Sequence, residues 1–263
     1  MYGATLAVIA DWLRTLNLPA LLLQPRGFDA HEVALTVRTV QYALRCQRII
    51  AIGGGLERYL EPLRRALRPH TIPLMELVRE ESPHAWDHAR HAHASPDLHL
   101  WLDVARSLAS CERILDWARA DGLITPSVRQ GWRQTQLRFL QIQGALQRLR
   151  PRTQQKAYVA VHDAYRPLTR NLGLRSLGSL QTDEETPPNL QKLRQIILKA
   201  RREPTIFVLS HTEQGIGVMV ARILRVPLVL ADTLERVDPT RDYFQRFLDL
   251  LASIEAGARI HRG

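Results

Sequence analysis

Three apolar runs in the second half of the chain each end on a residue able to bind a metal. "VAVHD" delivers His162, "FVLSH" delivers His211 and "LVLAD" delivers Asp232. In the first half, His31 follows the apolar run at 20–25, and His99 stands just ahead of an apolar "LWL". Imidazole nitrogens with one carboxylate are the usual donors of a tetrahedral zinc site. Each residue also has a plainer use. His31 suits a cap on the helix that follows it, His99 suits a core histidine, and Asp232 suits the amino-terminal cap of a helix beginning at "TLERV". The residues alone leave both uses open. His70 and His261 stand in polar surroundings and read as surface residues.

A second group is crowded rather than spaced. His84, His88, His91 and His93, with His99, put five of the chain's ten histidines between residues 84 and 99. Two readings fit the first four: a solvated loop without a role, or a weak accessory zinc site. The two cysteines, Cys46 and Cys111, lack metal-ligand spacing and sit in apolar, helical surroundings, so they read as buried small hydrophobes.

Elements must hold these residues in place. Strand-like runs at 20–25, 48–55 and 71–78 alternate with helical periodicity at 6–16, 33–46 and 56–67. The alternation restarts with strands at 157–165, 205–211 and 226–232, and the chain closes on a helix striped by Phe244, Phe247, Leu251 and Ile254. Between the two series, Trp132, Phe139, Ile142, Leu146 and Leu149 step by seven, three, four and three. That is one face of a single helix, starting at Thr125-Pro126 and expected to stop at Pro151. The pattern predicts an α/β protein: two parallel-sheet lobes joined by one long helix. The lobes are expected at 1–126 and 152–263, with the connecting helix at 127–151. In such sheets ligands bind beyond the carboxyl ends of strands, where the three polar residues fall.

Composition narrows the function classes. The formal charge is +10, from 36 basic and 26 acidic residues. The arginines are scattered over every segment, with no basic run interleaved with aromatics, so the charge does not point to nucleic acid. No apolar run approaches the ~20 residues of a membrane span. The first residues, "MYGATLAVIADWLRTL", read as the start of an amphipathic helix, with no signal peptide visible in this chain. No HExxH-type or paired-metal spacing appears, which argues against a zinc hydrolase and for a protein that is not an enzyme.

In order along the chain, the same residues resemble the metal-binding substrate-binding proteins of bacterial ABC importers for zinc, manganese and iron. The family's Gly-x-Asp-Pro-His-Glu loop is similar to "GFDAHE" at 27–32, and its Asp-Pro-His-x-Trp-Leu-Asp-Pro segment to "DLHLWLDV" at 97–104. Its His-Asp-Ala-Tyr is intact at 162–165, its final carboxylate matches "LADTL" at 230–234, and its Asn-Gly-x-x-Leu-Glu stretch resembles "GGGLERYLEPL" at 53–63. Ala30, Leu98 and Val104 stand where relatives carry prolines, and His211 where many carry an acidic residue. Relatives open with a signal peptide and a strand, whereas this chain is read as starting at the first helix.

The resemblance implies two lobes joined by a rigid helix, with the metal in the cleft between them. It assigns the ligands as His31, His99, His162 and Asp232. Histidine at the third position is the choice of the zinc-preferring branch, and three imidazoles with one carboxylate suit Zn²⁺ better than Mn²⁺. Glu32 and Asp163 are expected to fix ring tautomers, and His211 is an alternative ligand or a neighbour of the site. The resemblance further implies a monomeric periplasmic protein that hands zinc to an ABC permease with its ATPase subunit, touching the membrane only through the permease. A storage or chaperone role for zinc, a manganese- or iron-binding role and a surface adhesive role are the alternatives.

Overall fold

The computed structural model describes residues 1–24, 33–80, 98–162, 164–181 and 189–260. They form two compact units. The first comprises Met1–Trp101, Ala105–Phe139 and Leu234–Tyr243; the second comprises Leu102–Val104, Leu140–Thr233 and Phe244–Gly263.

In the first unit, β1 (Tyr2–Ala4), β2 (Ala20–Leu22), β3 (Arg48–Ala51) and β4 (Leu74–Glu76) make one parallel sheet in the order β2-β1-β3-β4. Helices α1 (Ala7–Thr15), α2 (Val37–Ala43) and α3 (Leu60–Leu67) link the strands, followed by α4 (Val104–Ala120). The apolar runs predicted as strands are therefore strands, buried as a helix-covered parallel sheet requires.

The opening residues correct the sequence reading. They do not lead straight into a helix; Tyr2–Ala4 is the central strand β1, paired with both β2 and β3. Three residues are too few to show a strand period, and the apolar helix that follows masks them. Gly3 is where neighbouring side chains close in: an added Cβ would lie 3.1 Å from Cys46 Sγ and 3.3 Å from Ile49 Cγ1.

The triple glycine after β3 makes a turn of left-handed residues, with Gly53 at φ +83°. It wraps the buried Glu57 carboxylate. Glu57 Oε1 accepts from Thr5 Oγ1 at 2.7 Å and from Ile52 N at 2.9 Å, while Oε2 accepts from Gly53 N at 2.9 Å. Burial pushes this carboxyl's pKa up, against those hydrogen bonds. The carboxylate thus ties the ends of β1 and β3 together, and "GGGLE" is a structural signature here.

The second unit repeats the topology. Strands β5 (Ala157–Ala160), β6 (Arg175–Ser179), β7 (Thr205–Ser210) and β8 (Leu228–Leu230) form a parallel sheet ordered β6-β5-β7-β8. Between them run α6 (Arg166–Asn171), α7 (Leu190–Ala200) and α8 (Ile216–Leu224), and α9 (Tyr243–Ile260) closes the chain. Val159, Val161, Val208, Val220, Leu193 and Ile196 pack into one core. Strand β6 was not foreseen: "RSLGS" is polar and pairs only with β5, so it carries an edge strand's weak signal.

The predicted long helix is α5 (Pro126–Thr153), and the division between the units falls inside it, between Phe139 and Leu140. Pro151 does not stop it. The ring removes one donor in the last turn only, and Thr153 holds that turn closed by donating to Leu172 O at 2.7 Å. In each sheet the chain steps from the first strand to one edge and then crosses to the other side. The switch points, where ligands bind in open α/β sheets, lie at the carboxyl ends of β1/β3 and β5/β7.

Candidate metal centre

Of the residues singled out in the sequence, His99, His162, His211 and Asp232 lie among those described. His31, Glu32, His84, His88, His91, His93 and Asp163 lie outside them.

In the second unit, three candidates stand in a row along the carboxyl edge of the sheet. His162 follows β5 and is 5% exposed; His211 follows the neighbouring β7; Asp232 follows β8, beside β7. Tyr165, the last residue of "HDAY", holds this edge together: its hydroxyl donates to Ala231 O at 2.6 Å. Ala231 N in turn donates to Ser210 O at 2.8 Å, so the ends of β5, β7 and β8 are pinned beside one another.

Asp232 does not cap a helix. The chain from 231 to 242 is irregular, and α9 starts only at Tyr243. The carboxylate instead meets Arg246 on α9 in a two-point fork: Nε to Oδ2 at 2.8 Å and an Nη to Oδ1 at 2.8 Å. The guanidinium side chain is 4% exposed and the Asp232 side chain 42%.

In the first unit, His99 is buried, 6% exposed, with its ring edge-on to Trp101 at 5.2 Å between centroids. Its segment is anchored by Tyr243, whose hydroxyl donates to Trp101 O at 2.7 Å and bonds Ser107 Oγ at 3.0 Å. Opposite the imidazole stands a carboxylate that the sequence reading missed. Glu235 Oε1 lies 3.5 Å from His99 Nε2, and Glu235 is 2% exposed.

The backbone is bent to place it. Leu234 is buried and left-handed, at φ +65°, which costs a non-glycine residue about 1–2 kcal/mol. Gln24, just after β2, clamps the result: its Nε2 donates to Glu235 O at 3.2 Å while its Oε1 accepts from Ala7 N at 2.9 Å. Nothing in the sequence singled out Glu235, which fell in a stretch read only as a helix beginning at "TLERV". The missing signal is the left-handed leucine, which no residue-type preference announces.

The cysteines are not ligands in waiting. Cys46 and Cys111 are both buried, and burial raises both thiol pKa values, Cys111 well above the ordinary range. A thiolate is what a metal needs. Among the described residues, no helix is long and apolar enough to cross a membrane.

Within the first unit, a buried imidazole facing a buried carboxylate is a donor pair suited to a cation. Residues 4–257 match the family of zinc-uptake complex component A, periplasmic (ZnuA). The chain belongs to this family. Among curated proteins, none matches it by sequence.

Solved structures share the ZnuA-type fold at low identity. The substrate-binding protein FpvC of Pseudomonas aeruginosa, in complex with Mn²⁺, aligns with TM-score 0.82 at 16% identity, covering 98% of each chain. A mutant of the laminin-binding adhesin Lmb of Streptococcus agalactiae aligns at 0.81 and 13% identity, covering 97% of this chain and 98% of that one. The Mn-bound periplasmic metal-binding protein of Candidatus Liberibacter asiaticus aligns at 0.78 and 14%, covering 98% of each. The expected fold class, two parallel-sheet α/β units with a long helix, is the observed one. The ZnuA family supplies metal-binding components of uptake systems.

Proposed function

We propose that this chain captures Zn²⁺ and delivers it to the permease of an ABC importer energised by a separate ATPase subunit. It acts as a monomer outside the cytoplasm and carries out no covalent chemistry. His31, His99 and His162 supply three imidazoles, and a carboxylate after β8, assigned from the sequence to Asp232, completes the set. Glu32 and Asp163 orient the rings, and His84, His88, His91 and His93 offer a weaker second site. The observation that carries this reading is the buried His99–Glu235 pair in a chain of the ZnuA family. A donor set dominated by imidazole favours zinc over manganese, which prefers oxygen ligands.

Capture releases protons from any protonated histidines, so affinity falls below about pH 6. The test is a chelator-competition titration of metal-stripped protein with Zn²⁺ and Mn²⁺, alongside His99→Ala and His162→Ala. One tight equivalent of zinc, unmatched by manganese and weakened in both variants, supports the proposal. Zinc affinity unchanged in both variants overturns it.

A further inference from the structure

The resemblance in sequence assigns Asp232 as the carboxylate ligand, but this chain gives Asp232 other work. Both of its oxygens are held by the fork of Arg246, a guanidinium with almost no access to solvent. Binding a metal through that carboxylate would weaken both hydrogen bonds to Arg246, by drawing off the charge they depend on, and place a dication beside a buried positive charge. Repulsion and weakened pairing act in the same direction.

Glu235 is placed differently. It is delivered by a left-handed residue, its backbone is clamped by Gln24, and its carboxylate faces a predicted ligand. The distance is informative. A charge-assisted N–H···O bond settles at about 2.7–2.9 Å. Two donors that share one tetrahedral zinc, each at about 2.0–2.1 Å, lie roughly 3.3 Å apart. The observed 3.5 Å between His99 Nε2 and Glu235 Oε1 is long for the bond and close to the edge of a zinc tetrahedron.

We propose that Glu235, rather than Asp232, supplies the carboxylate that binds the metal, and that Arg246 keeps Asp232 out of the coordination sphere. The inference rests on the zinc-capture reading and fixes which side chain of the turn performs it.

The test is zinc affinity of the full chain by chelator competition for Glu235→Gln and Asp232→Asn, with His99→Ala as reference. Glu235→Gln is expected to weaken zinc by more than the roughly ten- to hundredfold that losing a partner outside the coordination sphere costs. Asp232→Asn is expected to change it by less than about tenfold. Because Glu235 is buried, thermal unfolding of the metal-free variant confirms the fold. Co²⁺ bound in place of zinc reads the donor set directly: its visible bands shift in Glu235→Gln and stay superimposable in Asp232→Asn. Affinity retained in Glu235→Gln, or lost in Asp232→Asn, overturns the assignment while zinc capture stands. Zinc binding indifferent to both variants and to His99→Ala overturns the capture reading itself.

Discussion

Asp232→Asn separates stability from metal binding, because the structure makes Asp232 the counter-ion of a buried guanidinium. The asparagine oxygen can still accept one bond from Arg246, but its amide opposes the other donor. One charge-assisted bond of about 1.5–3 kcal/mol is lost, and Arg246 is left without this neutralising partner. Full loss of a partner from a buried pair costs about 3–5 kcal/mol. Asp232 is 42% exposed, so water enters on its side and the expected cost is about 2–3 kcal/mol. For a chain of this size that corresponds to about 5–10 °C in Tm, measured by calorimetry with metal chelated. Arg246→Met is expected to cost less, since the remaining carboxylate is half in water. The double-mutant cycle should then return a coupling of at least about 1 kcal/mol. A loss below about 0.5 kcal/mol in Asp232→Asn, the range of ordinary surface changes, would refute the view that Asp232 is committed to Arg246.

Two further predictions concern packing in the second unit and charge in the first. Gly257 lies on α9 where an added Cβ would fall 2.2 Å from Val229 Cγ2, so Gly257→Ala should destabilise by about 2–3 kcal/mol through overpacking. Val229→Ala in the same chain should restore part of that in denaturant unfolding; no restoration means the clash is not the cause. Asp121 is held by Arg48 at 2.7 and 3.0 Å and by Tyr2 at 2.6 Å, and these groups, the Arg48 bond foremost, bring its pKa down to about 2. A carboxylate depressed in the folded state adds stability that is complete above its ordinary pKa and lost as pH falls towards 2. For this partly exposed group that is about 1–2 kcal/mol. Asp121→Asn should therefore flatten the acid limb of the stability profile between about pH 4 and 2, and an unchanged limb would contradict the assignment.

The sequence carried the fold where apolar runs were long and bounded. β3, β5 and β7 lead into glycines or polar residues; each start could be placed, although β3 and β5 end four and five residues sooner than the runs suggested. It failed at β1 and β6, where a three-residue strand and a polar edge strand present no period. It also failed at Pro151, where the helix outlasts a residue that ordinarily ends one. The burial of His162 and of His99 was legible, because each follows or precedes an apolar run. Glu235 was not legible, because its position depends on one left-handed backbone torsion at Leu234 and on a glutamine more than two hundred residues earlier. Arg246, fourteen residues beyond Asp232, was hidden for the same reason: the fork is made by tertiary packing of α9, not by local spacing.

The choice between the two carboxylates also decides how the donors are divided. Asp232 belongs to the second unit and Glu235 to the first, although only three residues separate them. With Glu235 as ligand, His99 and its carboxylate partner are arranged within one unit, held there by the Gln24 clamp and the Leu234 torsion, at a separation close to that of two donors on one zinc.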